Sequence, residues 1–217
     1  SSRVLNIEQV ILTSTSETYG TAQYVPIDED HPIVGQSPYS ATKIGADQLG
    51  LSYYRSFDLP VKIVRPFNTY GPRQSARAII PTVISQLLSG QKEITLGNVS
   101  PTRDLTFVKD TVDGFYEIAS SDSLYGEITN IGMGKEISIK KLVELIAELT
   151  ESEVNIIQDE KRVRPNNSEV ERLLCCNDKI MRKTNWRPSF SLESGLKETI
   201  QWVKSNMKYF KQSIYNV

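Results

Sequence analysis

The chain has 217 residues, with 25 basic and 26 acidic side chains and a net charge of -1, enough for one large domain with a sizeable core. The balanced charge excludes a broad basic surface for nucleic acid, and no apolar run approaches the roughly 20 residues of a membrane span. One histidine, His31, and two adjacent cysteines, Cys175 and Cys176, exclude a spaced His/Cys metal site, so no metal is expected and the thiols read as reduced in a cytoplasmic protein.

Helices and strands alternate along the chain. Val10 to Thr15 reads as a buried strand that ends in hydroxyls, Thr13, Ser14, Thr15 and Ser16, followed by the carboxylate of Glu17. A long helix is predicted from Pro38 to Phe57, with Ser37 as its N-cap and Pro38 at the first helical position. "VKIVRP" (61–66) is a second strand and "IIPTVISQLL" (79–88) a helix stopped by Ser89-Gly90. "EITNIG" (127–132) is a third strand. "SIKKLVELIAELT" (138–150) carries apolar residues at helical spacing behind a Ser138 cap. "VNIIQ" is a short strand, and "NDKIMRKTN" and "SLESGLKETIQWVKSN" are closing helices. Strands separated by helices of this length predict parallel βαβ units, whose ligands bind beyond the carboxyl ends of the strands. The hydroxyl cluster and the loop after Val64 both fall at such an edge.

Two residues carry the chemistry. "PYSATK" places Tyr39 and Lys43 four residues apart, on one face of a helix. A lysine ammonium beside a phenol favours the phenolate and makes tyrosine a usable base. Alone, such a spacing is common enough to be a surface pair. With one histidine in the chain, any other base must be a lysine, a tyrosine or a carboxylate.

Thr15-Ser16-Glu17, then Tyr39 and Lys43, then "VKIVRPFNTYGPR", in this order and spacing, resemble the extended short-chain dehydrogenase/reductase family, the NAD-dependent epimerases and dehydratases of nucleotide sugars. The resemblance runs from about Val10 to Trp202. "VRPFNTYGPRQSARAIIPTVISQLLSG" and "SPTRDLTFVKDTVDGF" are most similar to bacterial dehydratases of UDP-N-acetylglucosamine or a related amino sugar, enzymes of surface-sugar biosynthesis. The family's Gly-x-x-Gly-x-x-Gly turn is not in the chain, which is therefore expected to begin partway through a Rossmann half, on the order of a hundred residues in.

The resemblance implies an α/β protein: the later half of a Rossmann-like parallel sheet (1–75 and 103–133) with a smaller mixed α/β nucleotide-sugar region (76–102 and 134–217). It implies NAD as cofactor, held by Tyr39, Lys43 and Pro66. Thr15 and Tyr39 would act on the sugar 4-hydroxyl and Glu17 on the carbon-5 proton. Ser16 stands where dTDP-glucose dehydratases carry an aspartic acid, and Thr-Ser-Glu also occurs in UDP-glucuronate decarboxylases. Asn68, Arg77, Gly97, Arg103 and Arg164 would bind the nucleotide sugar. The implied activity is 4,6-dehydration, with UDP-glucuronate decarboxylation or 4-epimerisation as alternatives. An inactive dinucleotide-sensing scaffold is the reading from another class. A homodimer through helix 38–57 is expected, with Ala41, Gly45, Ala46 and Gly50 admitting the partner helix.

Overall fold

The computed structural model describes residues 7–159 and 171–210. In chain order its elements are β1 (Val10–Thr13), α1 (Pro38–Phe57), β2 (Val61–Pro66), β3 (Asn68–Tyr70), α2 (Ile79–Leu88), β4 (Glu93–Leu96) and β5 (Thr102–Phe107). They continue as α3 (Val108–Ser120), β6 (Ile128–Ile131), β7 (Glu136–Ser138), α4 (Ile139–Leu149), β8 (Asn155–Gln158), β9 (Arg172–Leu173), α5 (Asp178–Lys183) and α6 (Leu192–Ser205). The architecture is α/β, with a Rossmann-like parallel layer β1-β2-β6, a mixed sheet β3-β5-β7 joined by β9, and the pair β4-β8.

Strand β2 is the centre of the parallel layer, pairing Leu12 with Ile63 on one side and Ile63 with Ile128 on the other. Its side chains alternate between two helices. Val61 and Ile63 pack with Leu51 of α1, while Val64 packs with Ile118 of α3 and Ile131. The two cations of the strand follow the same alternation. Arg65 meets Asp47 of α1, and Lys62 donates to the Ala119 carbonyl of α3 at 2.7 Å.

Helix α1 starts where its sequence says it should. Ser37 accepts from the Ser40 N–H and Ser40 accepts from the Ser37 N–H, a reciprocal capping box behind Pro38. Gly50 lies on the inner face, where a Cβ would come within 2.3 Å of Leu12 Cδ1. That corrects its expected place in a subunit interface. The absence of a side chain lets the helix approach its own sheet.

The chain changes sheets at Phe67, between β2 and β3. The largest core cluster then gathers α2, α4 and α6 against β3, β4 and β5, through Tyr70, Ile80, Ile84, Phe107, Leu142, Ile146 and Leu196 among others. Asp104 joins the two sheets. Buried on β5, its carboxylate accepts from the N–H groups of Met133, Gly134 and Cys175 at 2.8, 2.9 and 3.1 Å. The Gly132-Met133-Gly134 loop thus closes around an acid, with Gly134 in the left-handed region at φ 68°.

The expected helices at 38–57 and 79–88 are present, and those at 138–150, 177–185 and 191–206 differ only at their ends. The first strand stops at Thr13, because Thr15 caps a 3₁₀ turn over Ser16–Tyr19. Strands β3, β4, β5, β7 and β9 and helix α3 had no counterpart in the sequence reading.

Asp104 makes the joint sensitive to pH. Burial, the dominant influence, pushes its carboxyl from 3.8 up to about 6, against its backbone donors. Between these values the unfolded chain releases its proton first, so ionisation favours unfolding and the contribution of this group falls as pH rises. The loss is at most about 3 kcal/mol. Asp104→Asn removes the titration. The parent protein's advantage in thermal midpoint over the variant should therefore shrink between about pH 4 and pH 6.5; a constant gap would show that Asp104 titrates normally.

Candidate active site

The C-terminal end of β1 and the first turns of α1 meet at one edge of the parallel layer. Lys43 Nζ donates to the Thr13 carbonyl at 3.0 Å and stands 5.9 Å from the centroid of the Tyr39 ring. Tyr39 is 50% exposed. The helical spacing seen in the sequence therefore becomes a phenol and an ammonium on one stripe, tied to the strand end.

Thr15 is extended, at φ -159° and ψ 151°, and its Oγ1 accepts from the Glu17 N–H at 3.2 Å. Its hydroxyl proton keeps a bond to give. Within the turn, Ser16, Thr18 and Tyr19 are buried and Glu17 alone is exposed. Gly20 ends the turn at φ 66°, its N–H donating to the Glu17 carbonyl at 3.2 Å. A Cβ there would meet the Val34 carbonyl at 3.0 Å.

Pro66 closes β2 and Asn68 opens β3 exposed, so both follow the strand beside β1. Arg103, half-buried on β5, lies two residues before Leu105, the register partner of Asn68, and donates to the Thr102 carbonyl at 2.8 Å. Arg77 is exposed just before α2 and Gly97 follows β4 half-buried. Arg77 and Gly97 therefore belong to the elements of the second core rather than to the β1 edge. Arg164 lies outside the described residues.

Beneath the exposed groups runs a buried polar chain that the sequence reading did not single out. Asp47 Oδ2 accepts from Ser14 Oγ at 2.8 Å, Arg65 Nε at 3.0 Å and Arg65 Nη2 at 2.9 Å. The Arg65 guanidinium lies 4.7 Å from the centroid of the Tyr19 ring. Tyr19 donates to Asn130 Oδ1 at 2.7 Å, and Asn130 Nδ2 donates to the Ile27 carbonyl. Burial raises the Tyr19 phenol well above its ordinary range, more than Arg65 lowers it, so it stays neutral. The sequence held two separate traces of it, an arginine in a strand whose only other charge is Lys62 and an aspartate one turn beyond Lys43, with nothing to pair them.

His31 is not a base in this arrangement. It is buried, its Nε2 accepts from the Gln23 N–H at 3.0 Å, and its Nδ1 donates to the Pro32 carbonyl at 2.8 Å. Cys175 is also inert, since burial pushes its thiol well up.

Comparison with known proteins fits this geometry. The family model for GDP-mannose 4,6 dehydratase matches residues 2–199. Human dTDP-D-glucose 4,6-dehydratase is 33% identical over 210 residues, which cover 94% of this chain and 59% of the human protein. The chain therefore spans about three fifths of that relative's length. DesIV, a dTDP-glucose 4,6-dehydratase from Streptomyces venezuelae solved with NAD and TYD bound, superposes with a TM-score of 0.84 at 28% identity. That match covers 97% of this chain and 64% of DesIV. UDP-N-acetylglucosamine 4-epimerase from Methanobrevibacter ruminantium, solved with UDP-N-acetylmuramic acid, also gives a TM-score of 0.84, at 29% identity over 94% of this chain and 65% of its own. With Thr15, Tyr39 and Lys43 gathered at one strand edge, the chain belongs to the extended short-chain dehydrogenase/reductase family of NAD-dependent epimerases and dehydratases.

Proposed function

We propose that this chain carries the catalytic side chains of an NAD-dependent nucleotide-sugar 4,6-dehydratase, with a UDP-N-acetylglucosamine-type nucleotide sugar as substrate. The observation that carries the reading is an outward carboxylate, Glu17, beside the Lys43-anchored Tyr39 stripe at one strand edge. NAD, when bound, supplies the hydride acceptor for carbon 4 and the hydride donor for carbon 6. The donor set fits its ribose and ring: the Lys43 ammonium has three N–H groups and gives one to Thr13, and Tyr39 and Pro66 border the same edge.

Tyr39 takes the proton of the sugar 4-hydroxyl while Thr15 donates to the same oxygen. The resulting 4-ketone acidifies the carbon-5 proton, which Glu17 removes. The hydroxyl at carbon 6 then leaves as water, protonated by Glu17 or by a bound water, since the buried Ser16 is no acid. As carbon 6 is reduced, carbon 5 is reprotonated by Glu17, recharged where needed with a solvent proton that balances the one Tyr39 releases. Arg77, Arg103 and Arg164 clamp the nucleotide diphosphate, for which guanidinium forks are suited, Asn68 contacts the sugar or the diphosphate, and the backbone at Gly97 approaches the base. In this reading residues 1–75 and 103–133 serve the cofactor, and 76–102 and 134–217 serve the nucleotide sugar.

The serine at position 16 favours a second reading, decarboxylation of UDP-glucuronate, which shares the first oxidation, as does nucleotide-sugar 4-epimerisation, which needs no Glu17. Two variants of the complete enzyme separate the steps. In single turnover with UDP-N-acetylglucosamine, Glu17→Gln should accumulate NADH absorbance and a 4-keto sugar that keeps its carbon-6 oxygen. Tyr39→Phe should slow NADH formation itself, by at least about a hundredfold. Release of 4-keto-6-deoxy product by Glu17→Gln at the parent rate would remove Glu17 as the base. Turnover of UDP-glucuronate but not of UDP-N-acetylglucosamine would select the second reading.

We also propose that the outer face of α1 pairs two copies. Ala41, Gly45 and Ala46 are exposed, a Cβ on Gly45 would meet nothing within 4 Å, and Leu49 and Phe57 are 60% and 47% exposed. Leu49→Arg in the complete enzyme should halve the mass seen by light scattering. An unchanged mass would move the contact elsewhere.

A further inference from the structure

Four members of the buried polar chain are close sequence neighbours of groups assigned to the reaction, Asn130 on β6 being the exception. Ser14 precedes Thr15, Tyr19 follows Glu17 by two residues, Asp47 lies one helical turn beyond Lys43, and Arg65 precedes Pro66. The chain itself joins the end of β1, the 3₁₀ turn, α1, β2 and β6. At its centre the Asp47 and Arg65 side chains are 2% and 1% exposed.

Such a pair is a costly way to gain stability. Desolvating two charges commonly offsets their attraction, and apolar side chains of similar volume would often hold the helix as well. What apolar packing does not supply is direction. Asp47 Oδ2 receives three donors, one from Ser14 at the end of β1 and two from Arg65 on β2, so one oxygen of α1 is pinned to two neighbouring strands at once.

We propose that Asp47 and Arg65 are positioning residues. They hold the Tyr39–Lys43 stripe of α1 in register with the Thr15–Glu17 turn, so that proton removal at carbon 4 and at carbon 5 address one bound sugar. Neither touches substrate. The catalytic part rests on the dehydratase reading, while the mechanical part, one rigid unit formed from α1 and the turn, stands on geometry alone.

The deciding variant is Asp47→Leu/Arg65→Met in the complete enzyme, because it removes both charges together and leaves neither buried alone. Asp47→Asn is the companion that strands Arg65 and should melt earlier. For the double variant we expect a thermal midpoint near that of the parent and KM values for NAD and UDP-N-acetylglucosamine within about threefold. The rate of NADH formation should nevertheless fall about 30- to 100-fold. A rate within about threefold of the parent would overturn the proposal, since a purely stabilising pair predicts that result.

Hydrogen exchange separates this from a failure of the functional reading. The Glu17, Thr18 and Gly20 amides bond within the turn, and in the double variant they should exchange at least about tenfold faster while the core of α6 stays unchanged. Unaltered exchange at these three amides overturns the proposal even if catalysis is slow. If the parent enzyme forms no NADH with either UDP-N-acetylglucosamine or UDP-glucuronate, the functional reading falls, and the exchange result decides the positioning role by itself.

Discussion

Strand β2 is buried on both faces, and two of its six residues are cations. A charge with no route to water must find partners inside the protein. Both do, at opposite ends and on opposite faces. Lys62 reaches the Ala119 carbonyl at the end of α3, Gln9 and the face of the Tyr125 ring, 4.2 Å from its centroid. Burial lowers its tendency to hold a proton, so these partners offset a real cost. Arg65 reaches Asp47 on α1. The apolar residues between them set the distance of each helix from the sheet, and the cations add where along the strand each helix sits. The mutual placement of Lys43, Thr13 and the turn depends on that second constraint.

The same economy operates at the junction between the sheets. Phe67 leaves β2 with its N–H on the Ile131 carbonyl, and the next residue already pairs with β5. A chain that changes sheets in one residue leaves little covalent slack. Asp104 and the Gly132–Gly134 loop close the other side of the joint, and a Cβ on Gly132 would come within 2.3 Å of Cys175 Cβ. The edge that carries Asn68 is thereby fixed relative to the edge that carries Pro66.

What could be read in the sequence was local. Helix α1 declared itself by Ser37 and Pro38, α4 by Ser138 and its apolar stripe, and the Tyr39–Lys43 pair by helical spacing. Helix α3 was missed because its N-cap is Phe107, which makes no capping bond, and because Asp110 is buried and Gly114 lies in its interior. Strand β3 is three residues long, below what periodicity can detect. The misplacement of Gly50 has a geometric cause. At about 100° per residue it lies about 180° round the helix from Ala41, so one run of small residues serves two faces. The Asp47–Arg65 pair was not legible because its members are 18 residues apart and meet only once α1 packs on β2.

The turn after β1 adds a constraint on how such a site can diversify. Ser16, Thr18 and Tyr19 all point into the protein, and Tyr19 is held there by Asn130 and by the Arg65 guanidinium. Only position 17 faces out. A change at 16, 18 or 19 alters packing, whereas a change at 17 alters chemistry with little cost to the fold. Tyr39 and Lys43, by contrast, sit on a helix whose register is set by Asp47 and by the capping box. On the proposed reading, the oxidation shared by epimerases and dehydratases resides on the rigid helix, and the fate of the 4-keto sugar is decided by one exposed carboxylate on a short turn. The two functions are carried by different elements, and these are tied together by the bond from Lys43 to Thr13, the bond from Ser14 to Asp47 and the buried Asp47–Arg65 pair beneath them.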